Sequence, residues 1–124
     1  HDPASGELVD QVTDHTPDDA RAAIVRAHAA WGAWRERPAA ERAQLLRRWH
    51  DALLDHKASL AALMTREAGK VHAESLGEVE YAASFVEWFA EEARRSYGEI
   101  IPSPSRDRRL FVLRQSVGVV AAIT

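Results

Sequence analysis

The chain has 124 residues, contains no cysteine and carries a formal net charge of −3 at pH 7. This length allows one modest domain, and the lack of cysteine excludes a disulfide framework, a cysteine-based zinc site and a cysteine nucleophile within these residues. The interspersed charges provide neither a basic nucleic-acid-binding face nor a polybasic membrane patch. The sequence contains no apolar membrane span and no signal peptide, so we expect a soluble, cytoplasmic protein.

The first predicted helix begins at Pro17, directly after Thr16. A threonine side chain can cap the first helical turn, proline is favoured at the first helical position, and Asp18 and Asp19 suit the positive end of the helix dipole. The apolar residues of this helix recur at helical spacing and predict one buried stripe, formed by Ala20, Ala23, Ile24, Ala27, Trp31 and Trp34.

Two further amphipathic helices are predicted between Pro38 and Gly69. The apolar face of the first consists of Ala43, Leu46, Trp49 and Leu53, and that of the second includes Leu60, Leu63 and Met64. We expect Gly69 to end the second of these helices as its left-handed cap residue. We also expect Trp31 and Trp49 to anchor the core, so that truncation of either costs about 3–5 kcal/mol.

The fourth predicted helix, roughly residues 71–97, has two apolar faces. The first face consists of Leu76, Val79, Ala83, Val86, Ala90, Ala93 and Tyr97. The second lies about 140° around the helix axis and consists of Tyr81, Phe85 and Trp88. A narrow polar strip between them consists of Glu80, Ser84, Glu87 and Glu91. A surface helix normally buries one face, so two apolar faces indicate packing on two sides.

The last part of the chain predicts β-structure. Gly98 ends the fourth helix, residues 102–105 form a loop, and residues 110–113 are rich in β-favouring side chains. The apolar run 117–124 is typical of a strand inside a parallel sheet that is covered on both faces. Such a sheet needs partner strands and crossover helices, so we expect this chain to be the front end of a larger α/β protein.

The residue pattern predicts no complete active site. His50 and His56 are six positions apart, which is not the spacing of a helical zinc motif, and surface histidines are favoured over metal ligands. Glu91 and Glu92 are interpreted as part of a solvated helical face. Gly118 is not followed by a dinucleotide-binding glycine pattern. We therefore assign no catalytic and no metal-ligating residue, and a non-enzymatic helical interaction module is one interpretation of the four helices.

Several blocks in order resemble the aldehyde dehydrogenase superfamily. Residues 2–7, Asp-Pro-Ala-Ser-Gly-Glu, are similar to the family's Asn-Pro-Ala-Thr-Gly-Glu turn. Residues 30–35 and 41–49 match its early helices, and residues 64–70 are similar to its Glu-x-Gly-Lys block. Residues 77–93 resemble the succinate-semialdehyde dehydrogenase branch in particular.

The end of the chain continues this resemblance. Residues 114–124 resemble the strand that leads to the family's Pro-Trp-Asn-Phe-Pro segment, with Ser116 where the family usually has proline. The resemblance covers nearly all of the chain but only the opening part of a family member. It implies an α/β parent with a Rossmann-type cofactor domain, of which this fragment is the mostly α-helical part, with about four helices and C-terminal β-strands.

The resemblance implies oxidation of an aldehyde to an acid with NAD or NADP, and of succinate semialdehyde to succinate in that branch. A cysteine thiolate would add to the carbonyl, and a glutamate-activated water would release the acid. The cysteine, the glutamate, an oxyanion-holding asparagine and a lysine at the cofactor ribose would all follow residue 124. The fragment itself is therefore expected to be inactive, and another aldehyde dehydrogenase, for example one acting on an aminoaldehyde, is the alternative.

The resemblance also implies a role for each part of the chain. Residues 1–107 would be the N-terminal helical part of the cofactor-binding domain, 108–116 a strand of an oligomerisation sheet, and 117–124 the first strand of the dinucleotide-binding sheet. The full-length protein would then be a homodimer or homotetramer.

Four residues match functional positions of the family. Ile123 and Thr124 match the strand end whose backbone borders the cofactor, at the edge where open α/β sheets bind ligands. Tyr81 and Phe85 match positions that face the aldehyde tunnel, and the competing interpretation of these two is that they are core aromatics.

Overall fold

The computed structural model describes residues 1–123. In chain order its elements are α1 (Pro17–Arg35), α2 (Ala39–Asp55), α3 (Lys57–Ala68), α4 (His72–Glu92), a 3₁₀ turn (Ala93–Arg95), β1 (Glu99–Ile101) and β2 (Leu110–Val112). The predicted fragment of about four helices followed by β-structure is confirmed. None of the helices in this part of the chain is both long and apolar enough to cross a membrane.

Local sequence signals set the start of α1 and the end of α3. Thr16 Oγ1 accepts a hydrogen bond from the Asp19 backbone N–H at 3.3 Å, and Asp19 Oδ2 accepts one from the Thr16 N–H at 2.8 Å. This reciprocal capping box confirms the predicted helix start. Gly69 is confirmed as the left-handed cap of α3, with φ at +70°, and a Cβ atom there would also lie 2.7 Å from Pro3 Cγ.

The core lies where α4 packs against α2 and α3. The apolar side chains buried there are small: Val79, Ala83 and Ala90 on α4, Ala43 on α2 and Ala61 on α3. Ser75 of α4 is also buried, and its Oγ lies 3.0 Å from Thr65 Oγ1 of α3, so this hydroxyl has a hydrogen-bond partner. Small side chains at a helix contact allow the helix axes to approach closely, which confirms the first apolar face of α4 as the packed one.

The fourth helix is shorter than the predicted span of 71–97. It ends at Glu92, where the Ala93 backbone N–H points at the carbonyls of Phe89 and Glu91 and the chain tightens into the 3₁₀ turn. Such tightening is common at helix C-termini. Tyr97, which the sequence predicts on the first apolar face, therefore lies outside the helix and is exposed.

The buried stripe predicted for α1 is wrong for the described part of the chain. No residue of α1 is buried, and α1 packs against no other helix or strand within residues 1–123. Trp49 of α2, predicted as a core anchor, is 57% exposed, whereas Trp31 is half-buried. Helical spacing identifies which residues share a face, but it does not determine whether another element covers that face.

The two strands form an antiparallel pair that places Glu99 opposite Val112 and Ile101 opposite Leu110. β2 falls within the 108–116 segment where the sequence predicts a strand. Gly98, just before β1, lies so close to β2 that a Cβ atom there would be 1.9 Å from the Val112 carbonyl oxygen. Only glycine can therefore occupy this position without a backbone shift.

Residues 117–123 form no strand with any other described residue. The sequence predicts a buried strand over 117–124, whereas Val117 and Ile123 are almost fully exposed and Gly118 has φ at +106°. A strand is held by hydrogen bonds to a neighbouring strand, and within residues 1–123 only β1 and β2 pair. Thr124, the last residue of that predicted strand, lies outside the described residues.

The close approach at Gly98 predicts a cost for any side chain at this position. Gly98→Ala is expected to lower the free energy of unfolding by about 1–3 kcal/mol, because the new Cβ must displace the Val112 backbone. Urea denaturation measures this change. Gly77→Ala in α4 is the matched control, because no atom lies within 4 Å of a Cβ built there and alanine is favoured over glycine in a helix by about 1 kcal/mol. Equal stability of Gly98→Ala and wild type would contradict the close approach.

The capping box makes the start of α1 sensitive to acid. Hydrogen bonds from the Thr16 backbone and then from its side chain lower the pKa of Asp19 below its ordinary value. Because the folded-state pKa is the lower one, the stabilisation is present at neutral pH and is lost as the pH falls through the folded-state pKa. Circular dichroism of the wild type is expected to show a larger loss of helix between about pH 5 and pH 2 than that of Asp19→Asn. Identical acid profiles for the two proteins would contradict this role.

Candidate functional site

One face of α4 is aromatic and exposed. It consists of Tyr81, Phe85, Trp88 and Phe89, which we call the aromatic face. The sequence predicts that α4 is packed on two sides, but among the described residues only the side facing α2 and α3 is covered. A contiguous exposed apolar patch is typical of a surface that contacts a ligand, a partner or another part of a larger protein.

The two predicted tunnel residues lie together in the aromatic face. The ring centroids of Tyr81 and Phe85 are 4.8 Å apart and the rings meet edge to face at 81°, a favourable aromatic geometry. Tyr81 is 66% exposed and Phe85 is 48% exposed, so neither is a core residue of the described part of the chain. Their role in an aldehyde tunnel stays a prediction.

An open groove of about 620 Å³ runs along the aromatic face, lined by Ser84, Phe85, Glu87, Trp88, Phe89 and Glu91. Apolar walls with a few polar groups are the usual lining of a small-molecule site. The two carboxylates of this groove both have cationic partners, described next. The groove therefore offers mainly apolar contact to a ligand.

Cross-helix ion pairs border the aromatic face. Arg47 of α2 donates to Glu87 Oε1 and to Glu91 Oε1, both at 2.5 Å, and Lys57 at the start of α3 pairs with Glu80. The hydrogen bond to Glu87 raises the pKa of Arg47. Glu91, which the sequence predicts on a solvated helical face, has 52% of its side chain exposed and also pairs with Arg47 across the helix interface. These contacts lie beside the packed face of α4, and that packing directs the aromatic face away from α2 and α3.

The two predicted cofactor residues are not brought to the aromatic face. Ile123 is 96% exposed, so it makes almost no contact with any described residue, and Thr124 lies outside the described residues. The preceding residues 118–120 instead line a groove against α1, together with Ala27, Ala30, Trp31, Ala33, Trp34 and Arg37.

A hydrogen bond that was not predicted from the sequence joins α1 to the C-terminal segment. Trp31 Nε1 donates to Ser116 Oγ at 2.8 Å. The Trp31 ring also stacks with His28 at a centroid distance of 5.6 Å, and the Arg35 guanidinium carbon lies 4.8 Å from its centroid. Trp31 and Ser116 are 85 positions apart, and no local sequence signal connects residues at such a separation.

Some of the other ionisable groups among the described residues form ion pairs, such as Lys70 with Glu78. No cluster of three or more histidine, cysteine, aspartate or glutamate side chains within residues 1–123 is arranged to hold a metal ion. The sequence predicts His50 as a surface histidine, but only 13% of its side chain is exposed. Its Nδ1 lies 2.9 Å from Asp51 Oδ1. The described residues therefore offer binding surface and positioning contacts, with the aromatic face as the principal candidate site.

Comparison with known proteins connects these features to one family. The model of the aldehyde dehydrogenase family matches residues 1–124. The chain is similar to the NADP(+) succinate-semialdehyde dehydrogenase of Escherichia coli K12, with 50% identity over 122 residues, covering 98% of the chain and 25% of that relative. It is also similar to a glutarate-semialdehyde dehydrogenase of Pseudomonas aeruginosa, with 48% identity over 124 residues, covering 100% of the chain and 26% of that relative.

The fold agrees with the sequence match. The crystal structure of an E. coli NADP-dependent enzyme superposes with a TM-score of 0.85 and 48% identity, covering 89% of the chain and 23% of the other. The chain spans about a quarter of the length of the curated relatives it matches. Because the family model matches the whole chain and the relatives are about half identical to it, the chain belongs to the aldehyde dehydrogenase family.

Proposed function

We propose that this chain is the N-terminal portion of an NAD(P)-dependent aldehyde dehydrogenase that oxidises succinate semialdehyde to succinate. The observation that carries the proposal is the 50% identity to the E. coli succinate-semialdehyde dehydrogenase over 98% of the chain. The family resemblance implies a cysteine nucleophile, and these 124 residues contain no cysteine. We therefore propose that catalysis needs the rest of the parent protein.

On the aldehyde side, we propose that Tyr81 and Phe85 line the substrate tunnel. Their exposed, edge-to-face rings on the aromatic face support this role, because such rings offer apolar contact to the methylene groups of a semialdehyde. Arg47 contributes indirectly, since its ion pairs with Glu87 and Glu91 join α4 to α2 beside the rings.

On the cofactor side, we propose that Ile123 and Thr124 border the dinucleotide. An exposed isoleucine suits an apolar contact at the edge of such a site, but its side chain supplies none of the hydrogen bonds that phosphates need. When bound, the dinucleotide would accept the hydride that leaves the aldehyde carbon. The printed name of the E. coli relative specifies NADP(+) for that protein, and either NAD or NADP fits the proposal for this one.

The segments of the chain have distinct proposed roles. We propose residues 1–107 as the helical part of the cofactor-binding domain, 108–116 as a strand of an oligomerisation sheet, and 117–124 as the first strand of the dinucleotide-binding sheet. The short sheet supports the oligomerisation role of residues 108–116, because β2 pairs with β1 on one side only among residues 1–123. An open strand edge can accept a further strand. With such a sheet, we propose that the full-length protein forms a homodimer or homotetramer. We also propose a cytoplasmic location, which cell fractionation tests.

A second candidate substrate is glutarate semialdehyde. The observation that favours it is the 48% identity to the P. aeruginosa glutarate-semialdehyde dehydrogenase, only slightly lower than the identity to the E. coli enzyme. The two aldehydes differ by one methylene group. An aminoaldehyde is the third candidate substrate. If the protein oxidises no aldehyde, a non-enzymatic interaction module is the remaining interpretation.

The purified full-length protein is expected to reduce NAD⁺ or NADP⁺ with succinate semialdehyde at a higher kcat/KM than with glutarate semialdehyde or an aminoaldehyde. One methylene in an apolar pocket changes kcat/KM by roughly 10- to 200-fold, and the absorbance of the reduced nicotinamide measures it directly. A higher value with another of these aldehydes would reassign the substrate. No reduction with any aldehyde would overturn the enzymatic proposal.

Tyr81→Ala in the full-length enzyme is expected to raise the KM for the aldehyde by about tenfold, equivalent to about 1.4 kcal/mol of binding, because the ring contributes apolar contact. The KM for the dinucleotide should stay unchanged. Tyr97→Ala is the matched control, because Tyr97 is equally exposed but lies outside the aromatic face. An unchanged aldehyde KM together with a lowered melting temperature would show that Tyr81 has a structural role only.

A further inference from the structure

A polar pocket of about 530 Å³ lies where the turn between α1 and α2 meets the chain on either side of the short sheet. We propose that this pocket, which we call the arginine pocket, binds a phosphate group. The polar side chains that would contact the ligand are Arg35, Arg42, Ser96, Arg114, Gln115 and Ser116. The inference goes beyond the proposed function, because the pocket shares no residue with the proposed aldehyde and cofactor contacts.

Three separate parts of the fold bring arginines to this pocket. Arg35 is the last residue of α1, Arg42 lies near the start of α2, and Arg114 follows β2. Among the described lining residues Glu36 is the one carboxylate, so three positive charges face one negative charge. Because like charges repel, an anion bound between the arginines lowers the electrostatic energy of the pocket.

Arg42 carries a charge that its own contacts do not neutralise. It is half-buried, and its described hydrogen bonds go to the backbone carbonyls of Arg35 and Arg37. These carbonyls are neutral acceptors, so they hold the guanidinium in place and leave its positive charge uncompensated. A fixed guanidinium suits phosphate recognition, because little side-chain freedom is lost when the ligand binds.

The other two arginines keep donors for a ligand. Arg35 Nε lies 3.1 Å from Glu36 Oε1, and Arg114 Nη2 lies 3.0 Å from Glu99 Oε1. Both pairs are exposed and therefore weak. A guanidinium has five N–H donors, and each of these arginines uses one of them in its described pair. The remaining N–H groups can donate to phosphate oxygens, the charge-assisted contact that arginine makes best.

Neutral donors complete the lining. Ser116 Oγ accepts a hydrogen bond from Trp31 Nε1 at 2.8 Å, so the hydroxyl proton of Ser116 is left to donate to a ligand. The hydroxyl of Ser96 and the amide of Gln115 also line the pocket. Phosphate oxygens accept hydrogen bonds and point in several directions, so a phosphate group matches donors that arrive from different segments.

The size of the pocket leaves two sources for the phosphate group. A cavity of about 530 Å³ holds more than an inorganic phosphate ion. The ring of Trp34, which also lines the pocket, is 41% exposed and can stack against a planar group. The ligand is therefore either free phosphate or the phosphate of a nucleotide, and adenosine monophosphate (AMP) is the probe for the second source.

The test is calorimetric titration of the full-length protein with inorganic phosphate and with AMP at constant ionic strength. The wild type is expected to show saturable binding. Arg42→Gln and Arg114→Gln should each weaken it roughly 10- to 100-fold, the size of effect that loss of charge-assisted hydrogen bonds produces. Gln115→Glu should also weaken binding, because it adds a carboxylate without removing an arginine. Arg48→Gln, at an exposed arginine of α2 outside the pocket, is the matched control and should bind like the wild type.

The variants isolate the pocket from any other phosphate site of the full-length protein. Phosphate bound elsewhere, for example where a dinucleotide binds, stays bound in the variants, so the difference from the wild type reports the pocket alone. Tighter binding of AMP than of phosphate at the pocket would identify a nucleotide as the source, and equal or weaker binding would identify free phosphate. If Arg42→Gln does not fold, Arg114→Gln and Gln115→Glu decide the result, because both positions are exposed.

Three outcomes would overturn the inference. They are no saturable binding of either probe by the wild type, equal binding by the wild type and the pocket variants, and a melting temperature that chloride raises as much as phosphate at the same ionic strength. The last outcome would show that general screening of the arginines accounts for the effect. Aldehyde oxidation by the same protein is measured separately, so failure of the pocket and failure of the proposed reaction can be distinguished.

Discussion

The packing of α4 against α2 and α3 is the constraint on which the rest of the described structure depends. Its contact face uses small side chains, such as Ala83 and Ala90, which allow close approach of the helices. Arg47 then bridges Glu87 and Glu91 at the margin of this contact. Close packing sets both the distance between the helices and the rotation of α4, because the buried small side chains all lie on one face, and the half-exposed charged bridge adds to it. Together they decide which face of α4 is left for function.

Features set by local chemistry could be predicted from the sequence. The cap at Thr16 and the left-handed Gly69 depend only on neighbouring residues, so composition and spacing identify them. The proximity of Tyr81 and Phe85 follows in the same way, because residues four apart lie on one side of a helix. The existence of the aromatic pair was thus predictable, and the family resemblance supplied its suggested role.

Features set by distant parts of the chain could not be predicted in this way. Trp49 has the periodicity of a core residue but is exposed, because burial depends on what another segment places over it. Residues 117–123 have the composition of a buried strand, yet a strand exists only when a neighbour supplies its hydrogen bonds. The bond from Trp31 to Ser116 joins residues 85 positions apart and has no signal in either local sequence.

The sparse attachment of α1 has a consequence for the cooperativity of unfolding. Within residues 1–123, α2, α3 and α4 share a packed interface, whereas α1 is joined to them by a turn and to the C-terminal segment by the bond at Ser116 and the open groove that residues 118–120 line. Regions with few buried apolar contacts open at a lower free energy than the packed core. α1 can therefore detach as a separate unit while the other three helices stay assembled. A fluorescence signal from Trp31 and a helix signal from the whole chain would then give different midpoints, and one melting temperature would not describe both.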